Sequence, residues 1–547
     1  MSNIWKRKAV EGGTTFLKGT LVLTVAGFIV KIIGALNWIF LSRVLSGEGI
    51  GLYQMAFPIY LLALSVSSAG IPVAISIITA EKLALKDYQG AKRVFAISLG
   101  ILITTGLFFS LLTYLGAGWL IEYHVIRDPR AYYAIVVLAP AIFFVTLLSS
   151  FRGYLQGWQE MTPTAISQIL EQLVRVIAML FFANLLLPRG LAYAAAGASL
   201  GAAPGAIAGL AVLLYYYWRL KKKMNSRLDF SGENQVKEPA MALISRIVKL
   251  ALPVSLTSIM LPVVANLDLF VVPTRLEAAG HTVAQATEQF GYLTGMAVPL
   301  VNLATLLTAS LATSLVPAIS EAKALGNRRQ VYQRTASAMR ITALVSFPGS
   351  VLIYLLATPI SSLIYNAPSA GGPVSVLAAG IFLLGLHQVT TGVLQGLGHT
   401  AIPVVNMGIS AVIKVALNWF LTAIPALGIK GAAWATVADF GIAAALNMVF
   451  VYREVGYSID LKEIGKTALA AGGMALVISF TYDFIWAEFS SNAGAALAAA
   501  AAGGLVYFVI LVVIGGLNER DIERMPFIGE RLNNMVKGVG LFRSGKK

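Results

Sequence analysis

Cysteine is absent from the 547 residues, which excludes disulfides and any thiolate metal site. Histidine is almost as scarce: His124, His281, His387 and His399 lie far apart and show no metal-ligand spacing. Charge is the third deficit. Only 12% of residues are charged, against about 25% in ordinary soluble domains, so a soluble globular chain is excluded. No Walker loop occurs, and the chain has no ATPase of its own. The segments between apolar runs are too short to hold an external catalytic domain, so an enzyme is not expected. A transmembrane barrel is also excluded, because its spans would be about ten residues of alternating polarity.

What is present is 57% hydrophobic residues and a mean hydropathy of +0.77. Fourteen apolar spans lie near 19–42, 52–80, 94–120, 131–151, 164–187, 190–218, 247–273, 289–318, 336–358, 373–396, 402–425, 428–452, 464–486 and 494–516. The first is 24 residues long, a helix of about 36 Å that crosses a bilayer. It is too long for a secretory signal, and no small-residue cleavage site follows, so it reads as a retained first span. The fold expected is an all-α integral membrane protein of 14 transmembrane helices.

The net charge of +16 is explained by where the basic residues fall. With the N-terminus in the cytoplasm, only Arg43, Arg127, Arg130, Arg189, Arg275 and Lys430 are external, and Lys31, Arg175 and Lys414 are within spans. The other 32 of the 41 Lys and Arg residues fall in cytoplasmic segments or, as Lys249, Arg340 and Lys466 do, in the first few residues at the cytoplasmic end of a span. This is the positive-inside pattern and places both termini inside. The basic excess, including R-L-K-K-K at 219–223, fits topology and contact with anionic membrane lipids rather than nucleic acid.

One unit is used twice. G-Y-L-Q-G-W-Q-E-M-T-P at 153–163 is echoed by G-V-L-Q-G-L-G-H-T-A-I-P at 392–403. The apolar stretches beginning at Pro58 and Pro299 match likewise, running on to A-E-K-L-A-L at 80–85 and S-E-A-K-A-L at 320–325. A looser pair is G-L-A-Y-A-A-A at 190–196 and G-I-K-G-A-A-W-A at 428–435. Six spans separate matching points, an even number, so the copies face the same way, as in transporters with parallel repeats. The expected plan is an N-terminal lobe at 1–218, a cytoplasmic linker at 219–246 and a C-terminal lobe at 247–452. Two further spans and a basic cytoplasmic tail follow at 453–547. Gly197, Gly201, Gly205 and Gly209 form a seam for close helix packing in span 6.

Lys31 stands near the middle of span 1, where an ammonium costs about 2.5–3.5 kcal/mol on insertion scales. Around a helix it shares a stripe with Thr20, Thr24, Gly27, Gly34 and Trp38. Facing a cavity, forming a buried pair and snorkelling are its three readings. Asn37 and Arg43 continue the span outward. In span 5, Glu171 and Arg175 are four apart and pair on one helical face. Lys414 occupies the corresponding span of the second lobe, with Ser410 and Asn418 one turn away, and needs a partner from elsewhere. Asp268 lies toward the external end of span 7, and Asp439 is in span 12. His387 reads as a satisfied polar residue rather than a proton relay.

Spans grouped as six, six and two, the stretch R-V-L-S-G-E-G-I-G-L-Y-Q at 43–54 and the Leu-Gln-Gly turns resemble the MOP flippase superfamily. Within it, the chain looks like the stage V sporulation protein B and polysaccharide-transporter branch, related to the lipid II flippases. The resemblance implies a MATE/MOP-like pair of lobes around a cationic cleft. The implied substrate is an undecaprenyl-pyrophosphate-linked glycan, lipid II or a polysaccharide repeat unit, moved from the inner to the outer leaflet of the bacterial plasma membrane. This would serve cell-envelope or spore-cortex synthesis. The closely spaced arginines of the lipid II flippases' first span are missing, and Lys31 sits approximately at one of their positions. Arg43 matches the arginine that closes that span.

The candidate substrate-binding set is therefore Lys31, Asn37, Arg43, Glu171, Arg175, Asp268 and Lys414, with no catalytic residue, metal site or cofactor. Membrane potential, sodium and protons stay open as the energy source, with Asp268, Glu171 and Asp439 as candidate coupling carboxylates. The chain is expected to act as a monomer. A multidrug antiporter of the same superfamily, exporting organic cations, is the second reading; a scaffold for envelope synthesis is the third.

Overall fold

The computed structural model describes residues 2–68, 70–228 and 238–516. The middle of the expected linker, 229–237, and the basic tail from 517 lie outside the described residues. Among the described residues all secondary structure is helical. Apolar segments of this length leave no alternative, because a helix satisfies every peptide N–H and C=O internally where hydrocarbon offers no partner. By length and composition, 11 helices can cross a membrane, or up to 13 when two bent pairs are each taken as one span. The chain divides into two compact units, 1–291 and 292–547.

The first unit contains α1 (Ser2–Ser68), α2 (Ile71–Ala84), α3 (Tyr88–Glu122), α4 (Tyr132–Gly157) and α5 (Met161–Leu186). It continues through α6 (Leu191–Leu200), α7 (Ala202–Leu228), α8 (Ala240–Ala278) and α9 (Val283–Gly291). α1 is not one straight rod. Ser46 has φ 58° and ψ −174°, a region that costs a non-glycine residue about 1–3 kcal/mol. Trp38 and Tyr53, 15 positions apart, bring their ring centroids to 5.9 Å. A straight helix would hold those backbone positions about 22 Å apart, so the chain bends back at Ser46.

α8 packs against α1 and α2. The buried Asn266 amide donates to the Pro58 carbonyl at 2.8 Å. Gly70, at φ 77°, lies so close to α8 that a Cβ there would sit 2.2 Å from the Ala251 carbonyl oxygen. At the other end of α8, Arg127 donates twice to Glu277, at 2.9 and 2.7 Å. These bonds raise the Arg127 guanidinium pKa above its usual value. Arg130 bridges Asp128 and Glu48, and Thr287 of α9 donates to Asp128 at 2.8 Å. Span 7 therefore packs within the first unit, whereas the sequence reading puts the boundary at 219–246.

The second unit opens with a π-helical stretch, Tyr292–Ala297, followed by α10 (Val298–Ala304) and α11 (Leu306–Ala324). α12 (Arg328–Leu355), α13 (Ala357–Tyr365), α14 (Gly371–Ala379), α15 (Ile381–Gly396), α16 (Ala401–Leu421) and α17 (Ile429–Val455) come next. α18 (Leu461–Phe489) and α19 (Asn492–Val513) form a hairpin against α12. Two spans are broken: residues 283–324 bend by 57° before Leu306, and residues 368–396 by 48° before Ile381.

The repeat seen in sequence is built into the backbone. After α2, the Asp87 N–H donates to the Lys82 carbonyl and Asp87 caps α3 through the Gly90 N–H. After α11, the Asn327 N–H donates to the Ala322 carbonyl and Asn327 caps α12 through the Gln330 N–H. The left-handed position between them is Lys86 (φ 59°) in one copy and Gly326 (φ 66°) in the other. The Leu-Gln-Gly helices repeat as well. A Cβ on Gly153 would strike the Pro72 backbone, and one on Gly392 the Ala312 backbone, each at 2.5–2.6 Å. Each unit thus presses the same glycine of its fourth helix-forming repeat segment onto the helix before the capped turn.

Candidate functional site

The polar cluster of the first unit grows from α4 and α5. α5 carries Glu171 and Arg175 one turn apart, and they pair as the spacing predicts. A third member comes from α4: Arg152 donates to Glu171 at 2.8 Å and to Ser167 Oγ at 3.1 Å. One carboxylate is shared by two arginines, so the buried cluster keeps an excess positive charge. Tyr53 and Tyr60 of α1 lie near enough to interact with the Arg175 charge. Arg175 Nε is buried without a hydrogen-bond acceptor among the described atoms.

The glycine seam explains how charges are held this deep. Cβ atoms on Gly201 and Gly205 would meet α5 at Met179, Arg175 and the Glu171 carbonyl, at distances of 2.4–2.8 Å. Only hydrogen-sized side chains let α6 and α7 close over the charged helix.

α1 packs on the same helix: Gly34 faces Gln172, whose amide nitrogen would lie 3.4 Å from an added Cβ. Lys31, one turn from Gly34, is exposed and forms no ion pair or hydrogen bond among the described residues. Of the large exposed apolar side chains, Val25, Ile29, Ile32 and Leu36 occupy a different arc of the helix, while Phe28 lies one turn from Lys31. Asn37 is 6% exposed, and its Oδ1 has no partner among the described atoms. Arg43 is exposed, three residues before the Ser46 bend. Asp268 is half-buried on α8, two residues from the Asn266 tie to α1.

The second unit has a polar cluster of different composition. Lys414 is buried on α16. One turn away, Ser410 donates to Asp439 Oδ1 of α17 at 2.5 Å. The carboxylate thus stands on different helices in the two units: on α5 in the first, pairing with Arg152 and Arg175, and on α17 in the second, accepting from Ser410. Asn406 donates to Asn447 at 2.9 Å, and the Asn447 amide lies 3.1 Å from Thr391 and 3.4 Å from His387 Nδ1. His387 is a member of a hydrogen-bonded network.

Sequence reasoning missed Arg152, Asn406 and Asn447. The apolar run ends at 151, which puts Arg152 among the cytoplasmic residues in sequence, but α4 continues to Gly157. The signal was the repeat itself, since Arg152 immediately precedes the Gly-Tyr-Leu-Gln-Gly segment that forms a buried helical turn.

A family model described as "Polysaccharide biosynthesis protein" matches residues 16–323, and one described as "MatE" matches residues 293–420. Stage V sporulation protein B of Bacillus subtilis (strain 168) is 32% identical over 520 residues, covering 94% of this chain and 98% of its own. Lipid II flippase MurJ of the same organism is 27% identical over 464 residues, covering 81% and 84%. A solved structure of lipid II flippase MurJ in an inward closed conformation superposes with a TM-score of 0.67 at 17% identity, over 92% of this chain and 100% of that one.

Proposed function

The chain belongs to the polysaccharide biosynthesis protein family of MOP-superfamily membrane transporters, and from that premise we propose that it is a flippase for an undecaprenyl-pyrophosphate-linked glycan. The observation that carries the reading is the charge balance of the first unit. Arg152 and Arg175 share one carboxylate, Glu171, and Lys31 lies on α1, which packs against α4 and α5. A diphosphate leaving water needs that sign of charge in a medium of low dielectric, where attraction is little screened. An organic cation would be repelled by it. The names of the relatives, a lipid II flippase and a sporulation protein, agree with such a substrate.

Fourteen crossings complete the proposal. The bend at Ser46 makes two spans of the 63-residue element Val22–Ala84, which is about 95 Å long if straight, three times the hydrocarbon thickness. Added to the 13 reached with both bent pairs, it gives 14, with both termini cytoplasmic and one chain as the working unit. Lys31 is the first phosphate contact in this reading, while Glu171 holds the two arginines apart from bulk counter-ions.

The matching MatE model and the carboxylates Asp268 and Asp439 favour a second reading, a multidrug antiporter for cations. One experiment separates the two. Lys31→Ala should fail to complement a flippase-deficient strain at normal membrane abundance, with Lys31→Arg active. Near-wild-type complementation by Lys31→Ala would sink the flippase reading, and altered resistance to cationic dyes on overexpression would replace it.

A further inference from the structure

A cavity of about 450 Å³ in the second unit lies between α11 and α15. Its polar lining is Thr313, His387, Gln388, Thr391 and Gln395, and its apolar lining includes Val316 and Pro317. None of these lining residues is Asp, Glu, Lys or Arg. We propose that this cavity is a sugar subsite, taking one or two uncharged pyranose rings of the lipid-linked glycan.

The chemistry of the lining decides for a sugar. A phosphate would need a cation and an organic cation would need a carboxylate, and the lining offers neither. Sugar hydroxyls both donate and accept, and so do amide, hydroxyl and imidazole groups. The volume falls in the range of small-molecule sites. Val316 and Pro317 supply an apolar surface for the C–H face of a ring.

The lining is also held in place from behind. Asn406 anchors Asn447, whose amide group faces the Thr391 hydroxyl oxygen and His387 Nδ1. With those atoms accepting, the Thr391 O–H and the His387 Nε2–H are the donors left for a ligand. Gln388 accepts from Thr308 at 2.7 Å, which leaves its amide N–H groups to donate. Gln395 is exposed at the end of α15, the cytoplasmic end in the topology proposed above and the side on which such a lipid is loaded.

The internal repeat sharpens the contrast. Gly153 and Gly392 are equivalent by the Leu-Gln-Gly match, so Arg152 and Thr391, each one residue earlier, occupy the same position of the two copies. The first unit puts a guanidinium there, and the second a neutral hydroxyl. One fold position thus carries charge in one copy and a neutral hydrogen-bonding group in the other.

This inference rests on the flippase reading, and its test separates the two. The full-length protein in nanodiscs is titrated with undecaprenyl pyrophosphate and with the same lipid carrying an N-acetylhexosamine disaccharide. Wild type should bind the glycosylated lipid more tightly. Gln395→Ala and Thr391→Val should each reduce that preference by up to about tenfold, the upper end of what one lost hydrogen bond contributes. Binding of the sugar-free lipid should stay unchanged, which also reports that the variants are folded. Thr391→Arg should raise affinity for the sugar-free lipid. An unchanged preference in both Gln395→Ala and Thr391→Val overturns the sugar subsite and leaves the flippase reading standing. If wild type binds neither lipid, both fall.

Discussion

Replacing Glu171 by alanine removes the acidic partner of two arginines in one step. Glu171 accepts from Arg152 at 2.8 Å and pairs with Arg175 one turn along α5. All three side chains are largely buried, with 11–21% of their surface exposed. Breaking a buried pair by deleting one member costs about 3–5 kcal/mol, because the remaining charge stays buried and uncompensated. Glu171→Ala leaves two such charges side by side, so its loss should fall at the upper end of that range. Arg152→Ala removes its hydrogen bonds to Glu171 and Ser167, but Glu171 keeps Arg175, so about 1.5–3 kcal/mol is expected. The assay is thermal unfolding of the detergent-solubilised protein, followed by fluorescence-detected size exclusion. The order predicted is wild type, then Arg152→Ala, then Glu171→Ala. The double variant should be less damaged than the sum of the singles, with a coupling of about 0.5–3 kcal/mol. Arg152→Ala as damaging as Glu171→Ala, or strict additivity, would refute the shared-carboxylate account.

Gly205→Leu should empty the membrane fraction of folded protein, since even a Cβ would lie 2.8 Å from the Glu171 carbonyl. Gly100→Ala, with open space around it, should raise the unfolding temperature through a helix propensity gain of about 1 kcal/mol; measuring both in the same heating series checks the contrast. For the Arg127–Glu277 pair, Arg127→Glu should weaken the anchoring of the α8 end. The swap Arg127→Glu with Glu277→Arg should restore it, read as protection of a cysteine placed at Ala279 from a membrane-impermeant thiol reagent. The Arg127 pKa is raised in the fold, so its contribution is complete below its unfolded pKa and is lost only as pH rises through the higher folded one. Protection should accordingly be flat between about pH 6 and 10, and a loss in that window would show that another group controls the contact.

Much of the fold was legible because its causes are local. Long uncharged runs must be helices in hydrocarbon, and the Glu171–Arg175 pair follows from a spacing of four. The echoing turns at 80–87 and 320–327 keep the same hydrogen bonds because Asp87 and Asn327 are both good caps. Less legible was anything that depends on which helices meet. Arg152 looked like the first residue of a loop, and only its contact with Glu171 from another helix shows otherwise. The Asn406–Asn447 bond joins residues 41 positions apart on neighbouring helices, and no periodicity within either helix announces it. The packing of α8 with the first unit follows from Asn266, Gly70 and the Arg127–Glu277 pair, tertiary contacts that composition does not encode. The Ser46 bend was hidden because serine gives no sign of the left-handed conformation it adopts.

Transport by the purified protein tests the central claim most directly. The chain is reconstituted into proteoliposomes and offered two fluorescent cargoes in parallel, an undecaprenyl-pyrophosphate-linked disaccharide and a cationic dye. The account predicts transbilayer movement of the glycolipid, its loss in Lys31→Ala, and no movement of the dye. Accumulation of the dye with the glycolipid left in its original leaflet would contradict it.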